Sequence, residues 1–91
     1  PVAAEDEQTQ MLHERMEAAL FEINSGLTMH DFRIVPGPTH TNLIFDVVVP
    51  YDNKMPQAEI LEIIEYAAAE LPAGTNGGKY YAVVRFDRPF T

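Results

Sequence analysis

The sequence predicts an α+β fold with the element order α-β-β-α-β, and three observations predict it. Two segments repeat apolar residues at the three- and four-residue spacing of a helix face. Three segments alternate apolar and polar residues with the period of two that a half-buried strand requires. The boundaries between them fall on proline, glycine and asparagine.

The first element is a helix over residues 5–24, preceded by a lead-in at 1–4. Leu12, Met16, Ala19, Leu20 and Ile23 form its apolar stripe. Glu5, Asp6 and Glu7 suit the positive end of the helix dipole. Asn24-Ser25-Gly26 is the stop, with Gly26 fitted to a left-handed residue after the helix. Met11 and Met16 read as core fillers and His13 as a surface residue.

A β-hairpin over 28–50 follows. In its first strand His30, Phe32 and Ile34 are expected on one side, and Asp31, Arg33 and Val35 on the other. Val35-Pro36-Gly37-Pro38 reads as the turn, since proline fixes φ and glycine accepts positive φ. His40 is expected in that turn and exposed. In the second strand Leu43, Phe45, Val47 and Val49 oppose Ile44, Asp46 and Val48.

The second helix spans 56–71, with Pro56 as its first residue. Ile60, Leu61, Ile63, Ile64, Ala67, Ala68 and Leu71 form a broad apolar face, away from Glu59, Glu62 and Glu70. Residues 72–78 read as a flexible loop. The last strand, 79–88, sets Tyr80, Ala82, Val84 and Phe86 against Tyr81, Val83, Arg85 and Asp87.

A three-stranded sheet with both helices on one face buries all these stripes at once. The helix between the second and third strands acts as a crossover, which requires a parallel pair in the sheet. The result is a ferredoxin-like or metallochaperone-like two-layer sandwich, a single soluble domain of 91 residues. The other face of the sheet has no helix left to cover it.

Charge narrows the function. A net charge of −8 opposes nucleic acid and anionic membrane surfaces, both of which need a positive footprint. Without cysteine there is no disulfide, thiolate metal site or cysteine nucleophile. No apolar run is long enough to span a membrane. The chain starts at Pro1 rather than Met and reads as an excised piece. No serine elbow, P-loop or HExxH is present, so no enzyme is expected. Residues 79–86 faintly echo an RNA-recognition strand, but Tyr80 replaces its glycine, Val83 replaces a stacking aromatic, and the charge is wrong.

The uncovered face is expected to carry Asp46, Arg85 and Asp87 among Ile44, Val48, Tyr81 and Val83, with Asp31 and Arg33 beside them. A mixed apolar and charged strip points to a protein contact, above all with a second copy. Carboxylates and imidazole ligate divalent metals, and His30, Asp46 and Asp87 offer one ligand from each strand.

Gly26, Met29-His30-Asp31-Phe32, Pro36-Gly37-Pro38 and Asp46-Val47-Val48-Val49-Pro50, followed by a Glu- and Ile-rich helix, carry a likeness. This run resembles the C-terminal cytoplasmic domain of bacterial cation diffusion facilitator (cation efflux) transporters, over about residues 6–89. The resemblance implies a regulatory domain at the cytoplasmic face of the bacterial membrane, below a transmembrane part of the same chain that exports zinc or another divalent cation. It implies a V-shaped homodimer whose arms are drawn together by metal. His30 matches the family's histidine, Asp46 stands where a second histidine often sits, and Asp87 matches a closing aspartate. Arg85 departs from the pattern: it stands where the family has histidine, and Arg88 interrupts the closing Asp-Pro. Arginine has only N–H donors and cannot ligate a metal. Its guanidinium is therefore expected to take the ion's place and pair with Asp46 and Asp87 within or across the dimer, so that the domain holds either zinc or another divalent cation, or no metal at all. The alternative is a free-standing ferredoxin-like domain that senses a small ligand.

Overall fold

The computed structural model describes the backbone of residues 4–74 and 78–89, and the side chains of 7–74 and 78–89. Residues 1–3 of the expected 1–4 lead-in, the side chains of Glu5 and Asp6, and residues 75–77 of the expected loop lie outside the described residues, and Ala4 already belongs to the first helix. The order is α1 (Ala4–Ile23), β1 (Thr28–Pro36), β2 (His40–Val48), α2 (Gln57–Ala69) and β3 (Lys79–Asp87). One sheet in the order β1-β2-β3 joins an antiparallel β1–β2 pair to a parallel β2–β3 pair. This is the ferredoxin-like α+β arrangement that the patterning predicts.

β2 is the middle strand, so its inward residues meet neighbours on both sides. Leu43, Phe45 and Val47 are fully buried. Leu12, Met16 and Leu20 of α1 and Ile60, Ile64 and Ala68 of α2 close over them in one cluster, to which β3 adds Tyr80. Among the described residues the core holds no charged side chain. Tyr80 keeps its hydroxyl satisfied by accepting from Gln8 Nε2 at 2.9 Å.

Several local expectations are corrected. Gly26 is not left-handed. Its place is set by close packing, because a Cβ there would lie 3.0 Å from Pro50 Cγ. Asn24 makes the stop: its Oδ1 accepts from the Gly26 N–H at 2.8 Å, an Asx turn. Val35 and Pro36 belong to β1 rather than the turn, and an edge strand tolerates the proline. The turn is closed by the Gly37 N–H donating to the His40 carbonyl at 2.9 Å. A Cβ on Gly37 would stand 2.8 Å from that oxygen, so glycine is required. His40 therefore opens β2 instead of lying in the turn. Pro56 is the N-cap of α2, in extended backbone (φ −58°, ψ 145°), not its first helical residue. Ile63 is exposed, so the apolar face of α2 is narrower than its spacing implied.

The deepest side chain carries the clearest stability consequence. Phe45→Ala is expected to lower unfolding free energy by about 3–5 kcal/mol, measured by urea titration; a loss below about 1 kcal/mol would contradict this packing.

Candidate functional site

The face of the sheet turned away from the helices is read off the register. Across β1, β2 and β3 its rows are Thr28–Val48–Asp87, His30–Asp46–Arg85, Arg33–Ile44–Val83 and Val35–Asn42–Tyr81. The last position pairs His40 with Lys79.

A bulge decides what β1 contributes. Strict alternation would turn His30 toward the helices with Phe32. Instead the register slips between His30 and Arg33, so Asp31 and Phe32 together oppose Phe45. His30 is consequently exposed and Phe32 half-buried, which overturns the expectation that they share a side. The extra residue is Asp31, at φ 56°. Positive φ in a bulge normally calls for glycine; aspartate tolerates it better than most residues, at a cost of about 1 kcal/mol. Phe32 is thereby set against Phe45 (centroids 5.9 Å) and edge-on to His13 (5.1 Å). His13 is half-buried and pairs with Glu17 at 3.2 Å.

The centre of the face is an ion pair, Arg85 Nη2 donating to Asp46 Oδ2 at 3.1 Å. The carboxylate is largely covered, with 14% of the side chain accessible, whereas the guanidinium side chain is 75% accessible. The pair is formed within one chain. Beside it lies a hollow of about 270 Å³ lined by Asp31, Arg33, Ile44, Asp46, Val83 and Arg85. Val35, Tyr81 and Val83 leave apolar surface in the open around it.

The expected metal residues are partly brought together. His30 and Asp46 face each other across β1 and β2, and Arg85 completes their row. Asp87 stands two residues further along β3, opposite Val48. His30 Nε2 lies 3.2 Å from Thr28 Oγ1. Among the described residues no group of three or more His, Asp or Glu side chains is disposed to hold a metal ion. In this row the central carboxylate is engaged by a guanidinium.

His40, expected exposed in the turn, is instead the first residue of β2 and half-buried. Its ring leans on Tyr81 (centroids 4.7 Å) and its Nδ1 lies 3.1 Å from Thr39 Oγ1. The period-2 pattern of β2, continued backward from Leu43, would have placed it on the open face.

Compared with known protein families, curated proteins and solved structures, the chain has no match in any of the three.

Two substitutions separate the roles. Asp31→Val is expected to destabilise by about 1–2 kcal/mol and Asp31→Gly to be neutral or stabilising, by thermal denaturation; the reverse order would contradict the bulge. Arg85→Ala should lower monomer stability by no more than about 1 kcal/mol, because the guanidinium side of the pair is open to water and such pairs contribute little; a larger loss in urea titration would mean that the covered Asp46 carboxylate needs its partner for folding.

Proposed function

We propose that this chain is the cytoplasmic dimerisation and regulatory domain of a divalent-cation efflux transporter, and that it works as a homodimer through the open sheet face. The observation that carries the reading is how charge is divided between the two layers. The strands balance Asp31, Asp46 and Asp87 against Arg33, Lys79 and Arg85. The helices carry most of the negative charge, with Arg15 their single basic residue. Two copies of a chain at −8 repel each other through their helices, and the sheet offers a neutral surface with both signs interspersed. Exposed Val35, Tyr81 and Val83 give that surface apolar area to bury. The element order and the motif likeness support the transporter assignment; transport itself belongs to a membrane-spanning part. No helix among the described residues is long and apolar enough to cross a membrane.

In this reading Arg85 holds the place of a regulatory ion. The dimer is constitutive, and the domain is a metal-independent scaffold that raises the effective concentration of its partner. A second reading, a small-ligand sensor, draws on the charged hollow between β1 and β3; saturable stabilisation by a metabolite in chelator would favour it.

Sedimentation velocity tests the proposal. A dimer is expected in chelator, unchanged by excess zinc, and Val83→Asp should convert it to monomer without loss of helix content. A wild-type monomer under all conditions, or a Val83→Asp dimer, would overturn it. Arg85→His would place His30, Asp46 and a new imidazole in one row across three strands, at the roughly 4.8 Å spacing of neighbouring strands. That variant is expected to gain zinc affinity by calorimetry; no gain would sink the idea that arginine replaces an ion.

A further inference from the structure

A second surface lies on α2, in the opposite layer from the sheet face. Glu59, Glu62, Ile63 and Tyr66 are spaced three and four apart, so they form one continuous strip about 10 Å long. It borders a hollow of about 410 Å³. Tyr66 is 70% exposed and Ile63 38%. The buried stripe Ile60–Ile64–Ala68 faces the core, so neither residue is needed to seal it.

Apart from Glu59, which the helix dipole favours in the first turn, the charges of α2 are poorly arranged for folding. Glu59, Glu62 and Glu65 succeed each other at i, i+3, where like charges repel. The last turn has no basic residue, and Glu70 stands at the C-cap, where the helix dipole disfavours a carboxylate. Nothing basic lies within the helix to offset them. A helix that breaks these rules while exposing a tyrosine and an isoleucine is arranged for an external counterpart.

We propose that this strip of α2 docks a basic amphipathic helix from another protein segment. Its lysines or arginines would meet Glu59 and Glu62, and a large apolar side chain would enter the hollow against Ile63 and Tyr66. Tyrosine is one of the residue types enriched where such contacts are anchored. The strip repels a second copy of this acidic chain, which selects a cationic partner over self-association. The proposal does not rest on the dimer reading, and the two surfaces are tested separately.

The probe is a synthetic helical peptide of leucine and lysine at amphipathic spacing, titrated into the full chain at about 0.15 M salt, where diffuse attraction is screened beyond about 8 Å. Backbone amide shifts should saturate and centre on residues 59–66. The double variant Ile63→Ser/Tyr66→Ala should weaken binding roughly tenfold or more. Tyr51→Ala removes an exposed tyrosine elsewhere and should leave affinity unchanged. Unsaturable shifts spread over both helices, or unchanged affinity in the double variant with its fold intact by circular dichroism, would reduce the effect to non-specific charge and overturn the proposal.

Discussion

One-sided burial of β2 is the constraint on which the structure depends. Leu43, Phe45 and Val47 lose all contact with water on one side of the middle strand, and α1 and α2 supply the apolar surface that covers them. Because β2 is paired on both edges, its inward residues fix the register of β1 and β3 together. A slip of one residue would carry charged groups such as Asp46 into the core, where an unpaired carboxylate is strongly disfavoured. The outward residues inherit their places from that register. Asp46 meets Arg85 because Phe45 and Val84 on one side and Val47 and Phe86 on the other are already paired inward.

The same constraint divides the molecule chemically. Two helices over one face use up the apolar stripes and leave the other face bare. The described helix carboxylates stay exposed, and the helices carry nearly all the excess negative charge, while the sheet stays balanced. The dimer proposed through the sheet and the cationic partner proposed for α2 are both argued from this one division. They differ in what drives them: self-complementary signs and apolar burial for the sheet, opposite charge and aromatic anchoring for the helix.

Asp31 connects local strain to the make-up of the open face. Its positive φ inserts one residue into β1 and turns His30 outward onto the row of Asp46 and Arg85. Without the bulge the imidazole would point into the helix layer and the open face would lose a titratable group. A non-glycine residue held in the left-handed region beside a charged hollow is where strain and a working surface are expected to coincide.

Much of this fold was legible in the sequence because its signals are local and periodic. Helical spacing gave both helices, alternation gave the three strands, and the partition of Phe45 from Asp46 and of Val84 from Arg85 followed from parity alone. Motif likeness to cation efflux domains supplied a functional expectation that no comparison with known proteins matches, and it stands as a proposal. Tertiary structure decided what parity cannot encode. A bulge at an aspartate has no signature of the kind a glycine would provide, so the side taken by His30 was unreadable. Gly26 was chosen by the distant Pro50, His40 found Tyr81 on another strand, and Ile63 was left outside because α2 turns Ile60, Ile64 and Ala68 to the core. Each of these depends on residues far apart in the chain, and distance in space, unlike period, is not written along it.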